Sequence, residues 1–130
     1  MKIPRRFSGF IKVFLKFARS IYKDPQKLKR FLNFVRDYAK KNKKYILKFR
    51  DDLFTLYYLL LAWWRGEYTK APVSLIIWTI VALAYFLTPI DLIPDFLGPG
   101  GYIDDAFVIG LVIRSYKKEI DAFRRWQNRK

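Results

Sequence analysis

APVSLIIWTIVALAYFLTPI, residues 71–90, carries no charged residue in a 130-residue chain that holds 26 Lys and Arg. The fate of this run decides the fold. Twenty helical residues span about 30 Å, the thickness of a bilayer's hydrocarbon core. A helix wholly surrounded by others in a small all-α bundle has the same composition. Directly after it stand two prolines and two aspartates, in TPIDLIPDF, residues 88–96.

Charge is distributed in three blocks around the run. Residues 1–70 hold 19 basic and 5 acidic side chains, residues 71–113 hold four Asp and no Lys or Arg, and residues 114–130 hold 7 basic and 2 acidic. The total of +15 favours an anionic partner, either lipid headgroups or nucleic acid. Hydrophobic residues at 52% and aromatics at 19% exclude a disordered chain, and the length fits one domain. With no Cys and no His, thiolate and imidazole metal sites, Cys nucleophiles and His-based triads are excluded. The expectation is a non-enzymatic protein; an enzyme built here would have to use carboxylates such as Asp91 and Asp104.

Outward from the run, the pattern is helical throughout. Residues 3–22 place Phe7, Phe10, Ile11, Phe14, Ala18 and Ile21 at three- and four-residue spacing, with Lys12, Lys16, Arg19 and Lys23 on the other side. Those cations, with Arg5 and Arg6, are the expected contacts to an anionic surface. The basic start is interrupted too often for a cleavable signal's apolar segment. Asp24 is placed to cap a helix that begins at Pro25, with Leu28, Phe31, Leu32, Val35 and Tyr38 on its stripe. The cluster KKNKK, residues 40–44, predicts a break. A third helix follows over about 45–65 and stops at Arg65-Gly66. A last helix starts near Ile103 or Asp104 and keeps Val108, Val112, Tyr116, Ile120 and Phe123 on one stripe. Trp63, Trp64 and Tyr68 suit either a membrane interface level or plain core packing. The predicted architecture is an all-α bundle of about five helices. Its parts are a basic amphipathic arm (1–49), a hairpin domain (50–126) and a basic tail (127–130).

Thr88-Pro89-Ile90-Asp91 has the form of a helix cap: Thr88 caps, Pro89 takes the first helical position and Asp91 the third. Pro94 keeps any such helix short, and Gly98, Gly100 and Gly101 turn the chain. If helix 71–90 folds back on the last helix, Asp91, Asp95, Asp104 and Asp105 gather at one end. Four carboxylates there need water, backbone N–H groups, an Arg such as Arg114, or a cation. Hard oxygen ligands suit Mg²⁺ or Ca²⁺, although the spacing is not an EF-hand loop. No other cofactor is implied.

The segment from Tyr57 to Asp121, with (S/T)PIDLIPD at Thr88 to Asp95 and G-Y-x-D-D at Gly101 to Asp105, resembles the YkvA-type family, a domain of unknown function. The resemblance covers about residues 50–126. It implies a small helical membrane protein, and a similar segment occurs in the membrane part of some RING-type ubiquitin ligases. It brings no catalytic residue with it.

Membrane association follows from the charge-free run, its basic flanks and the amphipathic start. Each basic residue near an anionic leaflet contributes about 1 kcal/mol, so four favour binding by about 4 kcal/mol. Lys70 on one side and Arg114, Lys117 and Lys118 on the other predict both termini on the cytoplasmic side. The second arm, AFVIGLVI at 106–113, covers roughly 12 Å of helix, less than half the hydrocarbon thickness. A re-entrant or partly embedded hairpin fits better than two complete crossings. A buried central helix is the remaining alternative. The expected role is an accessory, scaffold or assembly subunit of a membrane complex, or a homo-oligomer. RNA or ribosome binding through residues 27–50 is the alternative that the same charge permits.

Overall fold

The computed structural model of the chain describes residues 8–87 and 105–129. All regular structure among them is helical. The helices are α1 (Ser8–Lys23), α2 (Pro25–Lys41), the single turn α3 (Lys43–Ile46), α4 (Arg50–Trp64), α5 (Val73–Leu87), α6 (Asp105–Ser115) and α7 (Lys117–Asn128). A 3₁₀ turn, Leu47–Phe49, joins α3 to α4.

Local chemistry sets these boundaries. Asp24 accepts hydrogen bonds on Oδ1 from the backbone N–H groups of Gln26 (3.0 Å) and Lys27 (3.3 Å), with Pro25 at the first position of α2. Two donors left open by the helix start are thereby satisfied. At the other end, Asn42 Nδ2 donates to the Tyr38 carbonyl at 2.8 Å, inside the KKNKK cluster where a break is expected. Gly66 closes α4 in the left-handed region, with φ +74°. Its N–H bonds the Trp63 carbonyl and the Glu67 N–H bonds that of Ala62, the paired bonds of a Schellman end.

Two boundaries differ from the sequence reading. The helix expected over 45–65 is continuous only from Arg50. Ahead of it the 3₁₀ turn, at about 3.0 residues per turn rather than 3.6, brings Phe49 inward against Phe86 (ring centroids 6.1 Å). The last helix is broken at Tyr116, whose φ −118° and ψ 33° leave the helical region. Hydrogen bonds run on through the bend, from Tyr116 N–H to the Val112 carbonyl and from Ile120 N–H to the Tyr116 carbonyl. Beyond it, Phe123 and Trp126 both lie 5.1 Å from the Tyr68 ring.

The charge-free run is the centre of the bundle. Helix α5 packs against α1, α6, α4 and α2, most extensively against α1. Every residue from Thr79 to Phe86 is buried, so the helix has no free face over those two turns. Phe86 is fully buried beneath Tyr38 (5.0 Å, edge-on) and Phe49, while Tyr85 meets Phe14 at 6.0 Å. Of the three alternatives for residues 71–90, the structure has the buried core helix over 73–87; residues 88–90 lie outside the described part. Among the described residues no helix is long and apolar enough to cross a membrane.

Trp63 and Trp64 are half-buried and pack against the core. Trp63 stacks on Tyr22 (5.0 Å, 18°), and Trp64 Nε1 donates to the Pro25 carbonyl at 3.1 Å, joining the end of α4 to the corner between α1 and α2. Arg124 of α7 reaches Asp52 (3.4 Å) and Thr55 (3.3 Å) on α4. That pair is over a third exposed and is a minor term beside the apolar core.

Candidate functional site

Two groups of residues stand out in the sequence, and the structure treats them differently. Of the acid cluster, only Asp105 falls in the described part, at the start of α6. Asp91, Asp95 and Asp104, the cap residues Thr88, Pro89 and Pro94, and the turn glycines Gly98, Gly100 and Gly101 lie outside it. Helices α5 and α6 do pack side by side, as a hairpin requires. Arg114 is exposed in the last turn of α6, nine residues from Asp105 and so about 14 Å along the axis. Among the described residues no three acidic side chains come together as a metal cluster.

The basic group is placed more fully. Arg5 and Arg6 lie outside the described residues. Lys12, Lys16, Arg19 and Lys23 are all exposed along the outer side of α1, and no ion pair among the described residues involves them. The opposite, apolar stripe of α1, with Phe14, Ala18 and Ile21, is occupied by the core. A surface contact through α1 must therefore use another edge.

Such an edge exists. Val13 is 68% exposed, Phe17 44% and Phe34 67%, unusual values for residues of this size. Phe17 meets Phe31 of α2 at 5.9 Å, and Lys27 Nζ donates to Ser20 Oγ at 3.3 Å, which sets the register of the α1–α2 pair. Counted along the helices from those two pairs, Val13 and Phe34 fall at about the same level. The three apolar side chains line the α1–α2 seam, and the four cations of α1 run alongside.

The sequence reading missed these three residues, although the signal was available. Val13 and Phe17 are four apart yet off the α1 core stripe, and Phe34 is off that of α2. Apolar residues that gather along one edge away from the core form an exposed patch, which single scattered ones do not.

Comparison with known proteins gives the family of the chain. A family model described as "protein of unknown function (DUF1232)" matches residues 75–111. The uncharacterized membrane protein YkvA of Bacillus subtilis is 33% identical over 88 residues, covering 68% of this chain and 80% of the relative. The chain belongs to the YkvA-type family. No solved structure matches it. Residues 75–111 take in most of α5 and α6, so the family segment includes the central helix of the bundle. Its α5 part offers almost no surface, whereas the aromatic and basic seam of α1–α2 lies outside residues 75–111.

Proposed function

We propose that this YkvA-type protein associates with an anionic membrane surface through the α1–α2 seam, as a non-enzymatic accessory or scaffold for a membrane complex. The observation that carries this reading is the pairing of exposed Val13, Phe17 and Phe34 with Lys12, Lys16, Arg19 and Lys23 on one side of the bundle. Phe side chains set beside cations suit the headgroup boundary, where apolar rings enter and ammonium groups stay at the phosphates. The four cations account for about 4 kcal/mol at an anionic leaflet. A relative named as a membrane protein supports the same direction.

In this mode the bundle sits against the leaflet with its core intact, and the basic segments face the cytoplasmic side. The absence of His and Cys from the chain supports a non-enzymatic role.

Cosedimentation of the full chain with phosphatidylcholine vesicles, with and without phosphatidylglycerol, tests the reading. Binding is expected only to the anionic vesicles, and it should weaken as salt rises. A double Phe17→Ser, Phe34→Ser variant should keep its helical circular dichroism and lose most of the binding. Unchanged binding by that variant would remove the seam from the mechanism. If added RNA strips the protein from vesicles at equal phosphate concentration, nucleic acid is the preferred anion and the membrane reading fails.

A further inference from the structure

On the opposite flank of α2 from Phe34 lies a second feature, which does not depend on the seam. Between α2 and α4, closed at one end by α3 and the 3₁₀ turn, is a cleft of about 610 Å³, within the ~300–1,000 Å³ typical of small-molecule sites. Its floor is apolar, made by Val35, Ala39, Ile46 and Leu53, all buried. Phe54, Tyr57 and Leu61 continue the wall toward the far end. From Arg50 to Leu61 the cleft follows α4 for about 16 Å.

Its charge is one-sided. Four cations line it, Arg36, Lys40, Lys43 and Arg50, and no carboxylate does. Arg36 has Asp37 beside it at 3.4 Å. Lys40, Lys43 and Arg50 have no acidic partner among the described residues, and all three stand at the end closed by α3. The Arg50 guanidinium lies 5.5 Å over the Phe54 ring, which holds it against the wall. Burial raises the Tyr57 pKa above its ordinary value despite the opposing pull of Arg36, so its hydroxyl is neutral at cellular pH and adds no negative charge.

An apolar trough ending in three uncompensated cations is complementary to one kind of molecule. We propose that the α2–α4 cleft binds a single-chain anionic amphiphile, its acyl chain on the Val35–Ala39–Leu53 floor and its carboxylate or phosphate head between Lys40, Lys43 and Arg50. A purely apolar ligand would leave the cations unused, and a small anion would leave the floor bare.

The test is calorimetric titration of the delipidated full chain, below micelle concentrations, with palmitate, 1-palmitoyl lysophosphatidate, neutral hexadecanol and inorganic phosphate. Saturable one-to-one binding of palmitate, lysophosphatidate or both is expected, and which of the two binds identifies the head. Hexadecanol and phosphate should each bind at least about tenfold more weakly. The exposed pair Lys40→Glu, Lys43→Glu should weaken binding by about tenfold or more with unchanged circular dichroism. An independent variant, Leu47→Asp at the exposed mouth, should weaken it as well. No binding of either anion, equal binding of hexadecanol, or unchanged affinity in the Lys40/Lys43 variant overturns the proposal. The Phe17→Ser, Phe34→Ser variant should bind the amphiphile normally, so loss of vesicle binding and loss of cleft binding are separate results.

Discussion

Helices α5 and α1 are both rich in large apolar residues, yet they stand in opposite relations to water. Of the fifteen residues of α5, ten are buried, and none of the fifteen is charged. Helix α1 buries Ala18 and Ile21, sets four cations outward, and leaves Val13 and Phe17 exposed at its edge. Lack of charge alone therefore says that a helix is surrounded, not by what. In α5 the surroundings are other helices of the same chain. The large apolar side chains that stay exposed are exceptions in α1 and α2, such as Val13, Phe17 and Phe34, rather than residues of the most hydrophobic segment.

Cutting one phenylalanine from α5 and one from the α1–α2 seam puts the largest effect on this contrast. Phe86→Ala removes a fully buried ring that Tyr38 and Phe49 pack against, and should destabilise the fold by about 3–5 kcal/mol. Phe34→Ala removes a ring that is mostly in solvent and should stay within about 0.5 kcal/mol of the wild type. Urea midpoints at a common m value measure both. Similar losses from the two would mean that Phe34 is covered and that the seam is not a free surface. Comparable tolerance at both positions would mean that α5 is not the packed centre.

Gly66, where α4 hands the chain toward α5, gives an intermediate effect. At φ +74° a side chain is strained whatever the space, and nothing lies within 4 Å of where a Cβ would stand. Gly66→Ala should then cost about 1–2 kcal/mol through the backbone alone. Gly66→Asn, which tolerates the left-handed region better, should recover part of that. If Asn is no better than Ala, the penalty comes from packing rather than from conformation.

How much of this was legible in the sequence differs by the kind of signal. Caps were legible because Asp24-Pro25 and Arg65-Gly66 act within a few residues, and both ends are as expected. The all-α class was legible because three- and four-residue spacing persists through the chain. The bend at Tyr116 was not, since Val112, Tyr116 and Ile120 keep a continuous stripe while the backbone turns to bring Phe123 and Trp126 to Tyr68. Nor could composition separate a lipid environment from a protein one for residues 71–90. That needs knowledge of which other stripes face them, a long-range property of α1, α4 and α6. The basic residues of α1 were identified, but the seam beside them was not. The α2–α4 cleft was also beyond reach, because residues 36–43 and 50–61 are set across from each other only by the fold.

The smallest effect belongs to Thr79 in α5. Thr79 is fully buried, and its Oγ1 has no hydrogen-bond partner among the described residues. A hydroxyl out of water without a partner is destabilising, whereas valine has nearly the same shape and no hydroxyl to desolvate. Thr79→Val should accordingly leave stability unchanged or raise it by up to about 1.5 kcal/mol. The sign is the informative quantity. If valine lowers the urea midpoint clearly, Thr79 is bonded in solution to a group or water inside the bundle, and α5 is not dry all round. A gain would mean that α5 of this chain carries an unpaired hydroxyl at a cost in stability. Residue 79, rather than the exposed cations, would then be the place to look for what α5 does beyond filling the core.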